Sequence, residues 1–351
     1  MFNAVQRKIR ILDGGTGEEL LGHNRTVPLI DPSTDPSKDP RCRILWSGLC
    51  IADEKYHPQV RKVHEAFMSA GADIITVNNY GISPGNTFDP RDIPRYVAVA
   101  GRLAVEAREN HYRSSPAHRS VAIYGSLPPL MESYRSDLVG APEECIPIYV
   151  SIIEALSPFV DGFVIETISS IGEMAMALDA FDQAFGHIPA RPVLASFTIQ
   201  TEGKLRSLES FDQAALAVLE RPRGPPSFLA AILVNCCTPE SVAAAFDSIG
   251  SDLADGLRGS GIALGAFANA LEPVPEGWTM ADNPEPAYVR QTITPAVYAA
   301  FAAEWAQRYE LVGFVGGCCG ISPAHIDQLR RIFGPDGVVP DAAVAGSSGR
   351  D

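Results

Sequence analysis

A chain of 351 residues suits one large barrel or two ordinary domains, and 46% apolar with 20% charged residues is the make-up of a soluble globular protein. The formal charge of −14 argues against nucleic acid or anionic lipid as a general partner, and no apolar run approaches the length that spans a bilayer. Seven cysteines, an odd number with two adjacent pairs, do not make a secreted disulfide framework, and the opening MFNAVQRKIR lacks the apolar core of a signal peptide, so a reducing cytoplasm is the expected home.

Residues 8–12 read as a short strand that ends in Asp13, Gly14, Gly15, Thr16 and Gly17, with a helix starting near Glu18. A strand-end carboxylate followed by two glycines can accept hydrogen bonds from an ammonium and offer N–H groups to a carboxylate, which suits an amino acid. It equally suits a plain glycine turn. Residues 24–41, with four regularly spaced prolines, read as an irregular insertion, either a solvated loop or a lid.

A helix over 59–70 closes on Gly71, and a β-branched strand over 72–79 ends in Asn78, Asn79 and Tyr80. Tyr80 can stack, donate a hydrogen bond or approach a metal, or simply sit as an amphipathic side chain at a strand end. The unit then repeats: helix 91–112, strand 121–126, a helix over 143–156 that Pro147 should break or displace, and strand 162–168, GFVIETI. Glu166 lies inside that apolar run, where a carboxylate is costly unless paired or coordinated. It is therefore a functional candidate or half of a structural ion pair.

Helix 171–185, strand 192–199, helix 210–220, strand 229–236, helix 241–249, strand 262–269, helix 295–309 and strand 311–317 follow, with a closing helix opened by Ser322-Pro323. Residues 271–291 form a long Pro-rich and acidic loop after the seventh strand, and the chain beyond residue 333 reads as a disordered tail. Eight strands alternating with helices predict a single (β/α)8 TIM barrel over residues 1–334, with 335–351 as the tail.

The strongest chemical signal lies at two strand ends. GFVGGCCGISPAHI places Cys318 and Cys319 in a glycine-rich turn, able to face a metal ion, a substrate or each other, and LAAILVNCC ends a second strand in Asn235, Cys236 and Cys237. In a parallel barrel both ends lie on one rim, and three thiolates with an open fourth position make a catalytic type of zinc site. Taken singly, each cysteine also fits as a small buried hydrophobe. Asp13, Tyr80, Glu166, Cys236, Asn269, Cys318 and Cys319 all fall at strand C-termini and should converge on one cavity.

These stretches, with ILDGGTGEEL, LWSGLCIADEKYHPQVRKVHEAFMSAGADIITVNNY and FVIETISSIGEMAMAL, resemble the homocysteine S-methyltransferase family over nearly the whole chain. The resemblance implies a zinc-binding (β/α)8 barrel with Cys236, Cys318 and Cys319 as ligands and Cys237 as a bystander. It implies that Asp13, Gly14 and Gly15 hold the amino-acid end of homocysteine, that Glu166 binds its ammonium and that Tyr80 can approach the metal. Asn269 and Glu272, in ANALE, match a divergent form of the family's Asn-x-Gly-Glu stretch, with Leu271 in place of the glycine. GSLPPLMESY, carrying Leu127, Pro128 and Pro129, departs from the family's Gly-rich turn after the third strand.

The implied reaction moves a methyl group from a small sulfonium donor, S-methylmethionine or S-adenosylmethionine, to the thiol of homocysteine, giving methionine. Betaine is an alternative donor. A reading of another class is a metal-free barrel lyase or isomerase that binds a phosphorylated ligand at the last glycine turn, where no lysine or arginine stands close by in sequence.

Overall fold

The computed structural model describes residues 8–22, 25–114, 119–184, 188–221, 229–279 and 289–335. The tail expected from residue 335 and part of the loop over 271–291 lie outside them, at 336–351 and 280–288. Among the described residues the strands are β1 (Arg10–Ile11), β2 (Ile74–Thr76), β3 (Ala122–Leu127), β4 (Gly162–Ile168), β5 (Val193–Thr198), β6 (Leu229–Asn235), β7 (Ala263–Phe267) and β8 (Val312–Val315). They form one parallel sheet in which β2 to β8 each pair with their sequence neighbours and β8 pairs with β1, leaving the β1–β2 edge to close the ring. This is the (β/α)8 barrel.

The alternation along each strand explains the two layers of core. Leu12, Tyr124, Val164, Leu194, Leu233, Phe267 and Phe314 fill the lumen, while their neighbours Ile11, Ile123, Ile165, Ala195, Val234 and Val315 pack outward against the helices. The helices bearing on that outer layer include α1 (Thr16–Leu21), α2 (His57–Ala70), α3 (Ile93–Ser114), α4 (Pro142–Leu156), α5 (Ile171–Ala184), α6 (Phe211–Glu220), α7 (Pro239–Asp247), α8 (Ser251–Gly259), α9 (Pro295–Arg308) and α10 (Pro323–Phe333). Gly71 caps α2 at φ 106°, a conformation that disfavours any side chain, and Ser210 with Gln213 forms a capping box on α6.

The seam between β1 and β2 is closed differently from the rest. A single parallel bridge joins Leu12 to Ile74, and the Asp73 carboxylate accepts the Ile11 N–H at 2.9 Å while pairing with Arg119 and Arg330 at 2.5 and 2.6 Å. Both strands are shorter than the sequence suggests. Past Thr76 the Asn79 side chain takes over the pairing with β3, donating to Ser126 O at 2.8 Å and accepting from Ser126 N at 3.2 Å.

One other expectation needs correction, and one helix adds to the reading. Pro147 neither breaks nor displaces α4, because it sits on the exposed face, where the carbonyl it leaves unpaired can be hydrated. Helix α8 escaped sequence reading because only Leu257 of its nine residues is buried, so it carries almost no apolar stripe. The described part of residues 24–41 is a loop that includes two 3-10 turns, Pro32–Thr34 and Pro36–Lys38, started by the Asp31 and Asp35 side chains and tied down by an Arg25–Asp35 ion pair of 2.9 Å.

On α2 the fully buried His64 has no hydrogen-bond partner on either ring nitrogen among the described residues, and burial pushes its pKa from 6.5 down to about 4. The folded state thus favours the neutral ring, whereas the unfolded ring takes up a proton below 6.5, so stability is present above that pH and is lost as pH falls toward 4. His64→Leu should remove this loss. In urea titrations the variant should gain about 2 kcal/mol on wild type between pH 6.5 and 5, and an unchanged difference would show that the ring has found a partner.

Candidate active site

The C-terminal rim is organised by one amide. Asn235, the last residue of β6, accepts from Thr167 N at 2.8 Å and Ser196 Oγ at 2.7 Å and donates to Thr167 Oγ1 at 2.9 Å. It thereby locks the ends of β4, β5 and β6 together. Its fixity supports two residues in left-handed backbone, Thr167 at φ 62° and Cys236 at φ 47°, where β-branched and other side chains are disfavoured. The register of β4 against β5 shifts between Ile165 and Ile168, so Glu166 lies in a bulge, the device that re-aims a strand side chain.

Thus positioned, the Cys236 sulfur meets the turn after β8. That turn approaches the first strand end closely: Gly15 N donates to Ile321 O at 2.9 Å, and a side chain on Gly14 would collide with the Ile321 carbonyl. The sulfurs of Cys236, Cys318 and Cys319 lie within 4.8 Å of one another, a group able to hold a metal ion. Cys236 and Cys318 are joined as a disulfide and Cys319 is a free thiol. The bridge links the ends of β6 and β8, the one cystine in a chain whose cysteine count argues against a disulfide framework. Once reduced, the triad fits zinc: tetrahedral Zn–S bonds of about 2.3 Å place sulfurs about 3.8 Å apart. Cys237 faces the apolar core, and burial pushes its thiol up to about 12.

A cavity of about 310 Å³ opens over the triad, lined by Asp13, Gly14, Gly15, Tyr80, Glu166 and the three cysteines, so eight of the ten predicted site residues converge. Asn269 and Glu272 do not. They line a neighbouring cavity of about 470 Å³ that meets the first at Tyr134, Cys236 and Val274. Asn269 further commits its side-chain oxygen to Leu271 N at 3.1 Å. Tyr80 shares a hydrogen bond of 2.7 Å with Ser133, and its ring meets Trp46 edge-on.

Asp13 accepts from Thr76 N and Oγ1 at 2.8 and 3.1 Å, and Glu166 from Ser126 Oγ at 2.5 Å. Neither has an ion-pair partner among the described residues. Burial, outweighing those hydrogen bonds, pushes Asp13 up to about 8 and Glu166 up to about 7. A third carboxylate escaped the sequence reading: Glu18 of α1 lines the same cavity with Oε2 buried and unpartnered, and burial followed by repulsion from Glu19 raises it to about 7. Tyr134 and Trp278 also line it, from loops whose approach no local pattern announces. Of the two glycine N–H groups expected to serve a carboxylate, Gly15's is used by Ile321, which leaves Gly14's without a partner among the described residues.

A parallel barrel with thiols and uncompensated carboxylates gathered at its C-terminal rim has the layout of an enzyme of the (β/α)8 class. The family model for homocysteine S-methyltransferase matches residues 10–333, and the chain belongs to that family of methyl-transferring enzymes. It is 27% identical over 339 residues to methionine synthase of Mycobacterium tuberculosis (strain ATCC 25618 / H37Rv) and 26% identical over 307 residues to that of Mycobacterium leprae (strain TN). Those alignments cover 94% and 83% of this chain but 25% and 22% of the relatives, so the chain spans about a quarter of their length. In fold it is similar to the homocysteine methyltransferase MmuM from Escherichia coli. The metallated form gives a TM-score of 0.65 at 19% identity, covering 93% of this chain and 96% of that one, and the oxidized form 0.64 at 20%, covering 92% and 95%.

Two measurements probe the rim. Asn235→Ala strands the buried Thr167 and Ser196 groups and should cost on the order of 3 kcal/mol in chemical denaturation, since each unsatisfied buried group costs 1–3 kcal/mol. A loss under 1 kcal/mol would mean that the clamp is dispensable. Glu166, an acid whose folded pKa lies above its ordinary 4.5, gives stability that is present at low pH and lost as pH rises through about 7. Glu166→Gln in the reduced, ligand-free protein should therefore gain up to about 3 kcal/mol at pH 8 and almost nothing at pH 4.5, and an equal change at both would refute that assignment.

Proposed function

We propose that residues 1–334 form one homocysteine-binding barrel that uses zinc and transfers a methyl group from a small sulfonium donor to the homocysteine thiol, giving methionine. The observation that carries this reading is the shared cavity: three sulfurs able to hold one metal face the buried Asp13 and Glu166 and the half-buried Glu18, which have no cationic partner among the described residues. Such carboxylates are costly until a ligand brings a cation. An amino acid whose side chain ends in a thiol supplies both an ammonium and a sulfur.

In this reading Cys236, Cys318 and Cys319 hold zinc, which when bound favours the thiolate form of the substrate sulfur. Asp13, Glu18 and Glu166 take the substrate ammonium, and the free Gly14 N–H suits its carboxylate. The substrate thiol proton leaves to solvent. Its sulfur then forms a bond to the donor methyl carbon as the methyl–sulfonium bond breaks, and that electron pair stays on the departing thioether. Trp46, Tyr80, Tyr134 and Trp278 line the cavity with aromatic surface that attracts an onium cation and excludes water while the reactants are held in contact. Betaine shares the onium charge and is the second donor to test. A phosphorylated ligand is disfavoured by the three carboxylates. Among the described residues no helix is long and apolar enough to cross a membrane, and a reducing cytoplasm suits the three thiolates.

Zinc per chain, measured after purification under reducing conditions, should be near one in wild type and in Cys237→Ser, and should fall at least several-fold in Cys236→Ser, Cys318→Ser and Cys319→Ser. The zinc-loaded enzyme should form methionine from homocysteine with S-methylmethionine or S-adenosylmethionine. Folded, reduced, zinc-free wild type would overturn the reading, and methionine formed from betaine alone would reverse the order of donors.

A further inference from the structure

The second cavity is lined by Asn269 and Glu272, and it contains a cation to which the reading above gives no role. Arg206 lies on a short hairpin after β5, held by the Ile199–Leu205 and Lys204–Ser210 bridges and by Ser207 N donating to Ser169 O at 3.1 Å. Its guanidinium sits 5.0 Å from the Tyr134 ring centroid and donates one Nη1 bond of 3.0 Å to Val274 O. The Nε atom is buried without a partner, and no carboxylate pairs with Arg206 among the described residues. The other arginine of that cavity, Arg135, is neutralised by Asp137 at 2.7 Å. A half-buried guanidinium that is rigidly held, stacked on an aromatic face and left with unused donors is a ready partner for a carboxylate.

We propose that this second cavity is the methyl-donor subsite and that Arg206 binds the donor's carboxylate. The inference rests on the methyl-transfer reading and narrows it: the donor is a sulfonium that also carries a carboxylate. Its charged sulfur end then lies toward Tyr134 and Cys236, where the two cavities meet, while the exposed Glu202, Glu272 and Glu276 on the cavity wall favour entry of a ligand with net positive charge. Glu272 and Asn269 thus belong with the donor rather than with homocysteine. The transferred methyl and the electron pair go as described above, and Arg206 binds the donor without exchanging a proton.

The test compares S-methylmethionine with trimethylsulfonium, which lacks a carboxylate, on zinc-loaded wild type, Arg206→Gln and Arg206→Lys. Arg206→Gln should raise the S-methylmethionine KM about tenfold or more and Arg206→Lys less, with zinc content, the homocysteine KM and the rate with trimethylsulfonium unchanged. Equal losses with both donors, a raised homocysteine KM or an unaltered S-methylmethionine KM would overturn the assignment. Calorimetric titration with S-methylmethionine covers the case of slow turnover: binding to zinc-loaded wild type that weakens in Arg206→Gln supports the subsite, and no binding to wild type overturns it. Zinc-free wild type would instead be a failure of the reading beneath it.

Discussion

Everything at the rim depends on the Asn235 amide. A strand end is where backbone pairing stops, and here one side chain satisfies two strands' loose polar groups while holding Thr167 and Cys236 in backbone that their side chains disfavour. Glu166 comes to the cavity through the bulge beside Thr167, and Cys236 comes to the triad as the residue after Asn235. The amide is fully buried, so its hydrogen bonds are not traded against water. The same device recurs on the other side of the barrel, where Asn79 continues the β2–β3 pairing beyond the last ladder bond.

Against this satisfied frame the cavity is left deliberately unsatisfied. Asp13, Glu18 and Glu166 are all pushed upward by burial, and no arginine or lysine relieves them among the described residues. A protein optimised for stability alone would pair or replace such groups. Their persistence beside three thiols makes sense when a cationic, sulfur-bearing ligand completes the electrostatics. Arg206 mirrors them in the adjoining cavity, a cation where the others are acids, so the two spaces differ in the sign of the charge they leave unpaired among the described residues.

The barrel was legible because its strands are apolar on both faces and end in polar punctuation, a pattern that survives without tertiary information. The same is true of Cys236, Cys318 and Cys319, whose glycine turn and Asn-Cys step declare themselves locally. Glu18 did not, because an acid in the first turn of a helix also has a simple role against the helix dipole. Arg206, Tyr134 and Trp278 sit on loops after different strands, and only their convergence in space gives them meaning. Asn269 is expected in the first cavity because all strand ends share a rim, and Glu272 comes with it through the family's Asn-x-Gly-Glu stretch. That rim holds two compartments, and a one-dimensional reading has no way to divide it. Pro147 misled for the opposite reason, since a helix breaker on a wet face gives up one hydrogen bond to water and little else.

The seam between β1 and β2 gives the barrel an uneven mechanical character. Elsewhere successive strands are joined by longer ladders, but here one bridge, the bond from Asp73 N to Ile11 O and the side chains of Asp13 and Asp73, which accept from Thr76 N and Ile11 N, bear the closure. The Asp73 pairs are largely buried, so salt screens them only weakly. Opening of the ring at this line would be read in the exchange of the Ile11 amide, which is bonded to a side chain rather than to a neighbouring strand's backbone. Asp13 follows Leu12 directly, so one of the carboxylates that line the cavity is itself a stitch of this seam.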